Sequence, residues 1–296
     1  MGGGLIQLVA LGAQDVYLTG NPQMTFFKVI YKKHTNFAKE CINQPLDGGN
    51  IGRKSCILSR NADLIQEIYL KSKIKLTTGL TNGALSSYSP VLLDGTSLIS
   101  DVELQIGGQR IDKHYHQWLD MYNELFEKNH NTRETMCSLK KKTSNITNEG
   151  FIYIPLRFWF NKNPGLALPL ISLQYHDVSI ILNLDNKLLR ATVSNAAASP
   201  IQHDYVMKCG DIDTIDTVKA EVSDSVLMVN YIYLDTNERR AFAQTDHEYL
   251  IEQVQFTGVE NKSKFLLTFN HPIKALYWNI YNNSESANPG VVPVSE

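Results

Sequence analysis

The sequence predicts an all-β fold, an antiparallel sandwich or jelly roll. Three observations predict it: long runs in which apolar residues recur at every second position, turn residues between those runs, and one firm helical stretch after the N-terminus. From Leu64 to Leu76, Leu64, Ile68, Leu70, Ile74 and Leu76 share one face, while Glu67, Lys71, Lys73 and Lys75 share the other, as in a half-buried strand. Leu98, Val102, Leu104 and Ile106 alternate in the same way with Asp101, Glu103 and Gln105. Gly107-Gly108 then supplies the positive φ of a tight hairpin. Tyr115, Trp118, Leu119, Tyr122 and Phe126 recur at helical spacing, which makes a helix inserted between strands. Further strand-like runs are Phe151–Phe160, Ile171–Leu184, Val226–Leu234, Tyr249–Thr257, Phe265–Phe269 and Ile273–Tyr281.

Connections are expected at Asp47–Gly52, Thr77–Pro90, Lys140–Gly150 and Ser194–Pro200, and a domain boundary in the polar stretch Lys208–Ser225. Ile68-Tyr69-Leu70 is echoed by Ile232-Tyr233-Leu234, an offset that suits two successive jelly rolls.

The chain has 296 residues, 43% hydrophobic and 20% charged, enough to bury about three quarters of its extended surface. Lys+Arg 28 against Asp+Glu 30 gives a formal charge of −2, which is not the footprint of a protein that neutralises many phosphates. Cys41, Cys56, Cys137 and Cys209 contain no C-x-x-C pair and are expected as reduced thiols. No run approaches the roughly 18 apolar residues of a spanning helix, and the N-terminus lacks a secretory pattern, so a reducing compartment is expected. Gly2 fits a myristoylation signal, but Ile6 stands where Ser or Thr is required.

No catalytic, cofactor-binding or metal-ligating set emerges. His114 and His116 follow Gly108 at the spacing of a cupin's first metal motif, the basis of a rival reading as a jelly-roll metalloenzyme. Asp120 matches the required Glu by type only, and Pro155-Leu156-Arg157 does not supply a second motif. The plainer reading is that both histidines open the helix and make surface or intersubunit hydrogen bonds. His247-Glu248 begins like a zincin helix, but Ile251 occupies the second histidine's place. Asp211, Asp213 and Asp216 start like a calcium loop, with Ile215 at the third ligand position. Lys140-Lys141-Lys142 reads as a solvated loop tip, and the sequons at Asn145, Asn261 and Asn282 matter only in a secretory pathway.

The opening Gly3-Gly4-Leu5-Ile6-Gln7-Leu8-Val9-Ala10, with Gly12 to Gln23, Thr25-Phe26-Phe27-Lys28 and His34-Thr35-Asn36-Phe37-Ala38, closely resembles the N-terminal signature of major capsid proteins of nucleocytoplasmic large DNA viruses. Asn163-Pro164-Gly165 through Ile171 with Leu173 to His176, Tyr231 to Thr236 with Glu238-Arg239-Arg240, His247 to Gln253, and Asn270 to Lys274 with Leu276 and Trp278 are similar to later blocks of that family, in order. The resemblance implies a double jelly roll, two eight-stranded antiparallel sandwiches, trimerising into a pseudo-hexagonal capsomer of an icosahedral shell, without enzymatic activity.

It also implies neighbouring capsomers, minor capsid and penton proteins as partners, an internal lipid membrane nearby, no direct nucleic-acid contact, and a place in the virion's outer capsid after assembly in host cytoplasm. On this reading residues 1–25 are an N-terminal arm, 26–210 the first jelly roll and 211–296 the start of a second, truncated one. Asn163-Pro164-Gly165 would turn the chain into a long core strand, Leu166–Leu184, and Arg239 and Arg240 either pair with a neighbouring subunit or are solvated. A further rival is a receptor- or glycan-binding sandwich on the virion exterior, using loops such as Thr77–Pro90.

Overall fold

The computed structural model describes residues 35–78, 88–127, 135–140, 147–195, 204–208, 218–260, 262, 264, 266–279 and 292–293. The chain divides into two units, Met1–Asn36 and Phe37–Glu296. The expected arm over 1–25 lies outside the described residues.

In chain order the second unit holds β1 (Phe37–Pro45), β2 (Gly52–Ile57), β3 (Leu64–Thr78), β4 (Tyr88–Asp94), β5 (Ile99–Ile106), β6 (Gln109–Tyr115) and helix α1 (His116–Phe126). Then come β7 (Ser138–Lys140), β8 (Thr147–Pro155), the short α2 (Trp159–Lys162), β9 (Leu168–Pro169), β10 (Val178–Leu184), β11 (Arg190–Asn195), β12 (Asp204–Lys208), β13 (Val218–Leu234), α3 (Thr236–Gln244) and β14 (Val292–Pro293).

Two antiparallel sheets make the sandwich. One runs β1-β13-β3-β8 and the other β2-β10-β5-β6. Taking these eight strands in chain order, the first sheet reads 1-8-3-6 and the second 2-7-4-5, the strand order of a jelly roll. The alternation seen in the sequence explains the core: Leu70 and Ile74 of β3 and Val102 and Leu104 of β5 are fully buried, and so are Ile180 and Leu182 of β10, which stand beside Leu104 and Val102 in the second sheet. The β5–β6 hairpin turns on Gly107 and Gly108, at φ 59° and 79°. Two consecutive positive φ values give the twist that matches paired strands.

Register fixes two ends. Phe37 pairs with Leu234 and Leu64 with Ile232 at one end, whereas Thr78 pairs with Val218 and Thr77 with Thr147 at the other. A third sheet, β14-β12-β11-β4-β7, takes β4 from between β3 and β5, β7 from between β6 and β8, and β11 and β12 from between β10 and β13. All three insertions leave from the Thr78 end, so they crown it. The opposite end, which we call the base, carries the β5–β6 turn, the β9–β10 loop and α3.

Several expectations are corrected. Val218–Leu234, expected from Asp211 onward to open a second sandwich, is the eighth strand of the first, between β1 and β3. The echo at Ile68 and Ile232 therefore falls on adjacent strands of one sheet and carries no sign of duplication. The expected strand Leu166–Leu184 is broken: Asn163 Oδ1 accepts from Gly165 N–H at 2.9 Å to start a 3-10 turn, and tight turns at Leu170–Leu173 and Leu173–His176 precede β10. Phe151–Phe160 likewise stops at Pro155, because proline lacks the N–H a ladder needs, and α2 follows. Residues 249–257, 266–269 and 273–279 carry strand-like alternation but no regular secondary structure. An isolated strand is not stable, and the described residues offer these runs no partner strand. The expected loops are shorter than their ranges, since Thr77, Thr78, Lys140, Ser194 and Asn195 are in strands.

Candidate assembly surfaces

At the base, Asp63 precedes β3 and is buried. Its carboxylate accepts from Arg239 Nε at 2.9 Å, from the second guanidinium nitrogen at 3.0 Å and from Leu234 N–H at 2.8 Å. Arg239 is thus engaged within its own chain, while Arg240 is exposed. Phe242 of the same helix packs on Leu64, Ala167 and Ile232, and its carbonyl accepts from Ser172 Oγ and His247 Nε2, each at 2.8 Å. Helix α3 is fixed on both its charged and its apolar side, directly after the eighth strand. Between it and the β9–β10 loop lies a cleft of about 450 Å³, lined among others by Ile106, Trp159, Leu168, Leu173, Phe242 and Asp246.

A second surface runs along β6 and α1. His114 is buried and its Nε2 lies 2.9 Å from Asp112 Oδ2, with the ring stacked on Phe158 at 4.8 Å. The other Asp112 oxygen accepts from Lys113 N–H at 2.9 Å and from Val254 N–H at 3.1 Å. Gln253 Nε2 donates to the Ile111 carbonyl at 2.6 Å, and Phe256 packs 4.9 Å from Tyr115. Tyr277 packs on Trp118 and Phe126. The segment after α3 is therefore strapped to the edge strand β6 and to the aromatic face of α1 foreseen at Trp118, Tyr122 and Phe126. Glu252 on this strap is paired with Lys162 at 2.6 Å and with Lys274. Those two ammonium groups hold its pKa down to about 2. The strap also carries bare apolar side chains: Leu250, Leu266 and Trp278 are 94%, 86% and 79% exposed.

These geometries separate the predicted residues. His116 opens α1 as the sequence suggests, but His114, expected beside it at the surface, instead lies buried in β6 and is committed to Asp112 of its own chain. Among the described residues no three His, Cys, Asp or Glu side chains are arranged to hold a metal ion. His247 donates to a backbone carbonyl beside an exposed Glu248. Asp211, Asp213, Asp216, Lys141, Lys142, Asn145, Asn261, Asn282 and Cys209 lie outside the described residues. Burial raises the Cys56 thiol to about 11 and also lowers the pKa of Lys54, whose side chain faces the interior. No helix among the described residues is long and apolar enough to cross a membrane. Sequence reasoning did not single out Asp63, Asp112 or Glu252.

An eight-stranded jelly roll with a crown of insertions is an architecture that viral shell proteins share with lectins and cupins, and comparison with known proteins decides among them. The model of the major capsid protein N-terminus matches residues 25–235, and that of the large eukaryotic DNA virus major capsid protein matches residues 238–295. The chain is 46% identical to a major capsid protein of Pyramimonas orientalis virus, over 94% of this chain and 65% of that one. It is 43% identical to the major capsid protein of Paramecium bursaria Chlorella virus 1, over 94% and 60%. The solved quasi-atomic model of the PBCV-1 virus capsid superposes with a TM-score of 0.59 at 39% identity, covering 79% of this chain and 51% of that one. The chain belongs to the double jelly-roll major capsid proteins of large eukaryotic DNA viruses, a structural and not an enzymatic family. It spans about half to two thirds of the length of these relatives.

Proposed function

We propose that this chain is a structural subunit of an icosahedral virus shell, acting through broad surfaces and without a catalytic step. The observation that carries the reading is the 1-8-3-6 and 2-7-4-5 strand order, joined to 46% identity with a named major capsid protein. Subunits associate as homotrimers that tile against neighbouring capsomers, meet minor capsid and penton proteins, and lie over an internal lipid membrane. Assembly takes place in the host cytoplasm, and the chain resides in the outer capsid.

The first sandwich ends at Leu234 and a second begins after α3, which corresponds with the change of matching family model between residues 235 and 238. The strap's exposed Leu250, Leu266 and Trp278 support this, because large apolar side chains left bare on one segment suit a surface that another layer covers. In this account 249–257, 266–269 and 273–279 become strands when partner strands pair with them. Immunogold labelling of intact particles of the encoding virus, with antibodies against this chain, tests the assignment. Gold on the particle surface is expected; label confined to the particle interior or to infected-cell cytosol would overturn it.

A further inference from the structure

We propose that the cleft at the base of the sandwich binds an extended segment of a partner shell protein, which inserts one aliphatic or aromatic side chain and lays a lysine or arginine against Asp246. The proposal rests on the shell-subunit reading and names one contact of that shell. The floor is apolar and already built: Trp159 and Leu168 are buried beneath it, with Ile106, Leu173 and Phe242 alongside. Its volume of about 450 Å³ falls in the range of clefts that bind specific ligands.

The mouth is negative. The carbonyl end of α3 opens onto it, that helix has no basic residue in its last turn, and Asp246 is exposed with no ion pair among the described residues. Among the described residues no lysine or arginine lines the cleft, which disfavours an anionic lipid headgroup and favours a cationic neighbour to the inserted side chain. A concave cleft between a helix and a loop admits a strand or loop of a partner and not a flat face.

The test selects a phage-displayed random dodecapeptide library against the full chain and against two variants. Peptides with an apolar residue within two positions of Lys or Arg should be enriched roughly threefold over the unselected library, the scale of a charge at a helix end. Ala243→Trp, which plugs the cleft, should abolish the enrichment at unchanged far-ultraviolet circular dichroism. Asp246→Lys should shift the preference to Asp and Glu. No enrichment, enrichment that survives Ala243→Trp, or a preference indifferent to Asp246→Lys overturns the proposal.

Two controls name the other occupants. If Ala243→Trp lowers the oligomeric mass in light scattering, a second copy covers the cleft. If wild type but not Ala243→Trp pellets with phosphatidylcholine–phosphatidylserine vesicles, a lipid surface does. Either result overturns the partner segment and leaves the shell reading standing.

Discussion

Asp63 and Arg239, 176 positions apart, meet at 2.9 and 3.0 Å where the eighth strand of the sandwich passes into helix α3. Asp63 also accepts from Leu234 N–H, so one carboxylate fixes the end of the last strand and the start of the helix. The direction in which the chain leaves the first sandwich is set by this contact and by Phe242 against Leu64 and Ile232.

Replacing Asp63 by Ala is expected to destabilise the chain by about 1 kcal/mol, because the half-buried Leu234 N–H and the half-exposed Arg239 guanidinium lose their acceptor. In a double-mutant cycle with Arg239→Ala under urea denaturation, the two changes should couple by about 0.5 kcal/mol or more. Simple additivity would show that the pair does not hold the helix.

The hairpin turn supplies a second prediction. Gly107 and Gly108 both have positive φ, but an added Cβ at Gly107 meets His176 Nδ1 at 2.7 Å, whereas at Gly108 nothing lies within 4 Å. Each Ala substitution should cost about 1 kcal/mol for the left-handed backbone, with Gly107→Ala the more costly of the two. Thermal melting of both variants checks the order.

Glu252 predicts a pH dependence. Its folded pKa is about 2, below the unfolded value of about 4.3, so its contribution is present above the unfolded value and is lost as pH falls toward 2. Glu252→Gln should therefore leave a shallower fall in stability between about pH 4.5 and pH 2 than wild type shows. Parallel stability curves for the two proteins would contradict the Lys162–Glu252–Lys274 bridge.

Asp224 sits at φ 49° in the bulge of β13, where pairing slips between Ser223 and Val226. Asp and Asn tolerate that conformation, and a β-branched residue does not. Asp224→Asn should be near neutral, and Asp224→Val should cost about 1–2 kcal/mol in chemical denaturation.

Much of the sandwich was legible because strands with one wet face announce themselves: Leu64–Leu76, the β5–β6 hairpin and helix α1 all stand where alternation or helical spacing puts them. What failed was pairing, which is not a local property. Residues 249–257 have the same alternation as β3, yet form no strand without a partner, and β13 reads like the opening of a domain until its register with β1 and β3 is known. Pro155 and the Asn163-capped turn ended strands that hydrophobicity alone would have continued. A bulge hid the Asp112–His114 pair: counted from the Gly107-Gly108 turn alone, Ile111 and Lys113 would stand opposite Leu104 and Val102, but the register slips by one between Gln105 and Leu104 and brings Asp112 and His114 there instead. Asp63 gave no sign either, since an acid just before a strand is ordinary.

The measurement that bears most directly on the shell-subunit account is the mass in solution, by light scattering after size exclusion at several protein concentrations. The account predicts a stable trimer of about 100 kDa, three times the 33.4 kDa chain. A monomer that persists at every concentration would contradict it.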